Sequence, residues 1–172
     1  VKKTKKKVQP APPFTTSTMQ QEASRKLGYT GQRTMKVAQQ LYEGVNIKGK
    51  GQLGLITYMR TDSLRISDDA RNDAKQFILD VYGNEYYPKQ PKIYKTKKNA
   101  QDAHEAIRPT DLKRMPAVVK DSLSRDQFRL YQLIWKRFAA SRMSAAKYET
   151  TSVKILANGY RFQVADSKLV FD

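Results

Sequence analysis

The sequence predicts an α+β fold, mainly α, with a helical body over about residues 14–145 and antiparallel strands over 146–172. Three observations carry this. Apolar residues recur at helical spacing in the stretches 33–43, 70–81 and 128–138. Each stretch is preceded by a hydroxyl residue that can cap a helix: Thr30, Ser67 and Ser124. After Lys147 the period falls to two, and Asn158-Gly159 is a two-residue hairpin turn.

Residues 1–13 form a basic, Pro-rich arm with no means of burying a core. A first helix starts within Thr15-Thr-Ser-Thr18, where Thr18 and Gln21 have capping-box spacing, and Gly28 stops it. Thr30 caps a second helix over 33–43 with Met35, Ala38, Leu41 and Tyr42 near one face and Gly44 as its end. Lys48-Gly-Lys-Gly51 reads as a flexible loop, and Leu53 to Thr57 as an extended segment. Ser67-Asp-Asp69 opens a third helix, because carboxylates suit the positive end of the helix dipole, and Gly83 closes it. Residues 84–99 read as loop, residues 100–107 as a short helix stopped by Pro109. Ser124 with Gln127 caps the last long helix, whose buried face holds Phe128, Tyr131, Ile134, Trp135 and Phe138. Thr151, Val153 and Ile155, then Phe162 and Val164, alternate as strands do.

The chain has 172 residues, with 33 Lys and Arg against 16 Asp and Glu, a formal charge of +17. That excess calls for a densely anionic partner, a nucleic acid or an acidic membrane surface. The membrane option is weak, since no apolar run approaches the ~18 residues of a spanning helix. The absence of cysteine excludes disulfides, thiolate metal sites and a thiol nucleophile. It fits a reducing, cytoplasmic setting. Val1-Lys-Lys-Thr-Lys-Lys-Lys7 is followed by Gln9-Pro-Ala-Pro-Pro13 rather than an apolar stretch, so it does not read as a secretory signal. The first residue is not Met and the last ones read as strand, so a larger parent protein is expected.

The segment Gly54-Leu-Ile-Thr-Tyr58-Met-Arg60-Thr-Asp62-Ser63 is the most informative. A short apolar run delivers a tyrosine into a polar turn, and an arginine follows two residues later. A phenol in water, with pKa about 10, is ionised in roughly one molecule per thousand at pH 7. It becomes a useful nucleophile only beside cations or a proton acceptor. Arg60 is always charged, and its planar fork can grip two phosphate oxygens. On an extended backbone residues 58 and 60 share a side. Thr61, Asp62 and Ser63 can turn the chain through side-chain-to-backbone bonds. Most tyrosines are core residues, and the chain has 10, so a Tyr-x-Arg pair alone says little.

The full string Ile56-Thr-Tyr58-Met-Arg60-Thr-Asp62-Ser63 resembles the active-site motif of type IA DNA topoisomerases. Three more segments agree in order: Pro13-Phe-Thr-Thr-Ser17 with Gln20-Gln-Glu-Ala-Ser24, then Ala38-Gln-Gln-Leu-Tyr42-Glu-Gly44, then His104-Glu-Ala-Ile-Arg108-Pro-Thr110. The resemblance covers residues 12–172, and Met59 favours the bacterial branch. It implies that Tyr58 attacks a phosphodiester of single-stranded DNA, that a second strand passes through the gap, and that resealing relaxes negatively supercoiled DNA without ATP. It implies a catalytic role for Arg60 at the scissile phosphate. It also implies DNA contacts at His104, Arg108, Thr61, Ser63, Gln39 and Glu43. His104 would bind a backbone phosphate or shuttle a proton. Arg108 would touch the backbone or brace Glu105. Gln39 and Glu43, four apart on one helix face, are either near the active site or on a solvated surface. The terminal segments 1–13 and 146–172 are expected to belong to an arch domain, and 14–145 to be the nucleophile-bearing domain.

The same family holds Mg²⁺ on clustered carboxylates of a Toprim domain. No such cluster is legible here, because Asp68 and Asp69 suit a helix start and Asp166 is isolated. The metal site and the rest of the polypeptide are therefore expected outside this chain, and the chain is expected to be monomeric. Lys95, Lys97 and Lys98 beside Tyr94 could track a DNA strand or form a solvated loop. A second reading competes with catalysis: a single-strand-binding module in which Tyr58 only stacks on a base.

Overall fold

A computed structural model describes residues 1–95 and 104–171. In chain order the elements are β1 (Lys2–Val8), α1 (Thr16–Leu27), α2 (Gly31–Glu43), β2 (Val45–Ile47), β3 (Gly51–Leu53), α3 (Asp68–Val81), α4 (Pro116–Val119), α5 (Arg125–Ser141), β4 (Ala146–Ala157) and β5 (Tyr160–Phe171). The fold is α+β and mainly helical, as predicted. The chain divides into two compact units, one of Val1–Pro10 with Ser144–Asp172 and one of Ala11–Met143. Among the described residues no helix is long and apolar enough to cross a membrane.

The smaller unit is one antiparallel sheet in the order β1-β4-β5. The basic arm expected at the start of the chain is a strand here, Lys2 opposite Ser152 through Val8 opposite Ala146, with every side chain exposed. Strand formation needs no core when β4 supplies the hydrogen-bonding edge. The β4–β5 hairpin turns at Asn158 (φ 51°) and Gly159 (φ 79°), the positive pair that a tight hairpin requires.

The larger unit packs α1, α2 and α5 around a core that includes Phe14, Met19, Leu41, Leu55, Ile107, Tyr131, Ile134 and Phe138. Each large side chain removed from water in this way contributes on the order of 1.5–3 kcal/mol. Trp135 lies in the same core, its indole N–H donating to the Leu112 carbonyl at 3.0 Å. Ser124 and Gln127 form the predicted capping box of α5. Phe128 is only half-buried, with Lys120 Nζ 5.4 Å from its ring centroid. Ser67 caps α3, and Thr30 caps α2.

Four local expectations are corrected. The cap of α1 is Thr15, boxed with Thr18, three residues before the Thr18–Gln21 spacing suggested. The Thr61 carbonyl fixes this start by accepting the Thr16 N–H at 2.9 Å. The loop over 48–51 is the turn of a hairpin, β2 with β3, which takes in Leu53, while the extended stretch after it makes only an isolated bridge from Ile56 to Pro109. Tyr42 leaves the core face of α2, which buries the expected Ala38 and Leu41 together with Thr34 and Val37. Residues 104–107 are not helical, because their donors serve other segments: Ala106 N–H goes to Arg65 O at 2.8 Å and Ile107 N–H to Phe14 O at 2.9 Å. The rest of that expected helix, 100–103, lies outside the described residues.

Gly54 marks where the segment leading to Tyr58 meets α2. A Cβ there would sit 2.8 Å from the Tyr42 carbonyl oxygen, a backbone atom that cannot step aside. Leu55 N–H, next along, donates to Leu41 O at 2.8 Å. Gly54→Ala should therefore destabilise the protein by about 1–3 kcal/mol. Urea unfolding checks this, and an unchanged midpoint would show that the approach is not tight.

Candidate active site

Three segments meet around Tyr58. The backbone of 54–61 gives and receives hydrogen bonds on several sides. Thr57 N–H donates to Arg108 O at 2.9 Å, and Thr110 N–H donates to Leu55 O at 3.0 Å. The Thr57 hydroxyl donates to Ala106 O at 2.9 Å and accepts the Arg108 N–H at 3.0 Å. At the other end the Thr16 hydroxyl donates to Met59 O at 2.6 Å and accepts the Thr61 N–H at 2.8 Å. The tyrosine segment is thus clamped between the start of α1, the end of α2 and residues 106–110. Thr16 and Thr57 were not singled out as site residues from the sequence. Threonine hydroxyls that serve only the backbone carry no distinctive signal in sequence.

The clamp sorts side chains. Met59 is 1% exposed and plugs the core, whereas Tyr58 is 44% exposed and Arg60 is exposed. The Tyr42 ring stands edge-on to Tyr58 with centroids 5.3 Å apart and planes at 65°. The His104 ring approaches at 6.4 Å and 88°. Two edge contacts restrict the phenol's orientation while leaving it open to solvent. Tyr42 is thereby a site residue that the helical pattern assigned to the core.

Arg60 and His104 line one open depression of about 590 Å³ with Thr16, Ser17, Gln20 and Asp62. The N-terminus of α1 lies at its edge and brings a partial positive charge. The lining thus offers an anionic group a guanidinium, an imidazole and a helix start, with the Asp62 carboxylate beside them. Arg60 also borders a second depression with Gln39. Gln39 donates to Glu43 at 2.6 Å on the exposed face of α2, so the pair is linked and Gln39 is the member beside Arg60.

Thr61 and Ser63 are built into a turn, and Thr61 also lines the depression that holds Arg60 and His104. Thr61 is 8% and Ser63 0% exposed. Thr61 Oγ1 accepts the Ser63 N–H at 3.0 Å, and Ser63 Oγ accepts the Arg65 N–H at 3.1 Å. Two successive side-chain-to-backbone bonds turn the chain and bury both hydroxyls. Arg108 is likewise used internally: it donates to both Glu105 oxygens, at 3.2 and 3.0 Å, and to Pro109 O at 3.1 Å. Of its two readings, the geometry favours bracing Glu105. Lys97 and Lys98 lie outside the described residues. Among the described residues no three His, Asp or Glu side chains gather as a metal ion needs, so these residues do not fit a metal centre.

Glu105 ties the histidine segment to α3. It accepts the Ser67 N–H at 2.8 Å as well as the Arg108 fork. Partial burial works against its charge, yet the bonds from Arg108 and Ser67 outweigh that and hold its carboxyl below the usual carboxylate range. A depressed folded-state pKa adds stability above the unfolded value, about 4.3, and the benefit is lost as pH falls through the folded value. Glu105→Gln should cost about 1–3 kcal/mol near pH 7, and the difference from wild type should shrink below about pH 4. Thermal unfolding across pH reads both, and a pH-independent difference would remove the carboxylate's charge from the account.

Comparison with known proteins agrees with this arrangement. A family model described as DNA topoisomerase matches residues 1–172. The crystal structure of full-length topoisomerase I from Thermotoga maritima, in a monoclinic form, superposes with a TM-score of 0.84 at 44% identity. The match covers 99% of this chain and 27% of that one, so the chain spans about a quarter of the length of that enzyme. Matched from end to end by the family model and sharing both fold and sequence with a bacterial enzyme, the chain belongs to the bacterial type IA DNA topoisomerase family.

Proposed function

We propose that this chain is the nucleophile-bearing segment of a type IA topoisomerase, with Tyr58 as the nucleophile. The observation that carries the reading is the exposed phenol on a clamped backbone, with His104 and Tyr42 edge-on and Arg60 two residues on. In this reading Tyr58 Oη attacks a backbone phosphorus of single-stranded DNA. The new O–P bond forms as the P–O3′ bond breaks. The phenol gives up its proton and the leaving 3′ oxygen takes one up, which yields a 5′-phosphotyrosyl link and a free 3′-hydroxyl. Negative charge grows on the non-bridging oxygens, where Arg60 is suited to meet it. His104 holds a neighbouring phosphate or relays the phenol's proton.

The link keeps the energy of the broken ester, so resealing is the same step reversed and needs no ATP. Passage of a second strand in between relaxes negative supercoils. Mg²⁺ belongs, in this reading, to a Toprim portion of the parent polypeptide. Residues 14–145 form the nucleophile-bearing domain, and 1–13 with 146–172 are ends of an arch domain. The parent enzyme acts as a monomer on the DNA of the bacterial cytoplasm.

The test uses the chain joined to its Toprim portion, a single-stranded oligonucleotide and Mg²⁺, followed by denaturation. A covalent adduct that vanishes in Tyr58→Phe is expected; absence of adduct in both proteins would favour a non-catalytic single-strand-binding module. Arg60→Ala should lower cleavage by roughly 10²–10³ and change oligonucleotide binding far less. An equal loss of binding would reduce Arg60 to an electrostatic attachment point. The 172-residue chain alone should bind single-stranded DNA weakly and relax no plasmid. Mg²⁺-dependent relaxation by the chain alone would overturn the division of labour.

A further inference from the structure

Apart from the Tyr58 site, a recess of about 510 Å³ opens between Leu64–Ile66, the start of α3 and residues 92–95. Its lining includes Arg65, Arg71, Lys92, Lys95 and Arg142, with Asp68 as the single carboxylate among them. Asp68 is taken, because it pairs with Arg71.

Arg142 makes this more than a basic surface. It follows α5 and is 2% exposed. One terminal amino group donates to the Lys92 carbonyl at 2.8 Å. Its Nε has no acceptor, and among the described residues no carboxylate pairs with it. A buried guanidinium left with a neutral carbonyl and an idle N–H is costly. Among the described residues no oxyanion accepts from its fork, the geometry that Arg offers to phosphate. Arg65 and Lys95 are exposed at the mouth, where they would draw such a group in. The wall is firm: the Tyr94 hydroxyl donates to Ser141 O at 3.3 Å.

The recess is joined to the cleavage segments through its backbone. Arg65 N–H is held by Ser63 Oγ at 3.1 Å, and Arg65 O accepts the Ala106 N–H at 2.8 Å, two residues from His104. Arg65 lies seven positions after Tyr58, at most ~25 Å of chain. That is within the reach of a groove that tracks a single strand over ~4–16 nucleotides.

We propose that this recess binds a backbone phosphate of the DNA strand, as an anchor separate from the phosphate that Tyr58 attacks. The choice of DNA as the source rests on the function proposed above; the oxyanion chemistry does not.

The test uses the full chain, a fluorescein-labelled single-stranded oligonucleotide and inorganic phosphate. The double variant Arg65→Gln/Lys92→Gln changes side chains that are exposed or half-buried and should keep the fold. It should weaken oligonucleotide binding several-fold at low salt. The slope of log K against log salt should become shallower by about 0.7 for each phosphate that the variant no longer neutralises. Inorganic phosphate should raise the Tm of the wild type above that in sodium chloride of equal ionic strength, and raise it less in the variant and in Arg142→Gln. A phosphate-dependent Tm with an unchanged oligonucleotide slope would overturn DNA as the source. No phosphate-specific rise in the wild type would overturn the site. If Arg142→Gln does not fold, the double variant still decides. A shallower slope with no Tyr58 adduct in the joined enzyme would support the anchor and count against the cleavage reading.

Discussion

Everything at this site depends on the hydrogen bonding of residues 54–61 to three other parts of the chain. Leu41 O, Arg108 O and the Thr16 hydroxyl receive or supply the bonds that an isolated extended segment would make to water. Each such bond contributes only about 1 kcal/mol net, but an unmade one in a buried place costs more. The segment therefore has one low-energy seat. Met59 occupies the core in that seat, and the residues on either side of it face out. Gly54 is part of the same constraint, since the approach to the Tyr42 carbonyl leaves no room for a side chain. Position is what this hydrogen bonding supplies to the phenol.

The charges divide along similar lines. Several of the carboxylates are used in construction. Glu105 holds Ser67 and Arg108, Asp126 takes the Arg33 fork at 2.7–3.1 Å, and Glu22 pairs with Arg25 and Lys26. The Arg33 hydrogen bonds, foremost, hold the Asp126 carboxyl below its ordinary range. Acids spent in this way leave Arg60, and the recess around Arg142, with positive charge facing outward. A net charge of +17 then reads as an excess placed where a polyanion can reach it.

Much of this was legible in the sequence, for physical reasons that differ between elements. α2, α3 and α5 declare themselves, because a hydroxyl cap and an apolar stripe coincide, with Gly44 and Gly83 following the first two. The β4–β5 turn is fixed by Asn158-Gly159, which few other pairs could replace. Residues 104–107 were misread because their helical pattern is local, whereas their hydrogen bonds go to Phe14 and Arg65, many residues away in sequence. At the site, Tyr58, Arg60 and His104 stood out through the motif strings that contain them, not by residue type alone. The burial of Thr61 and Ser63 did not, since a hydroxyl that binds DNA and one that caps a turn look alike in sequence. Nor did Tyr42, because one helical position separates the core face of α2 from the face that meets Tyr58.

The central claim is that the clamped phenol of Tyr58, and no other of the 10 tyrosines, takes the DNA phosphate. The most direct measurement is mass spectrometry of peptides from a denatured cleavage complex, formed by the enzyme with an oligonucleotide carrying a labelled phosphate. The account predicts the labelled phosphate on the peptide containing Tyr58, bound through the phenolic oxygen. The label on a different residue, or on none, would contradict it.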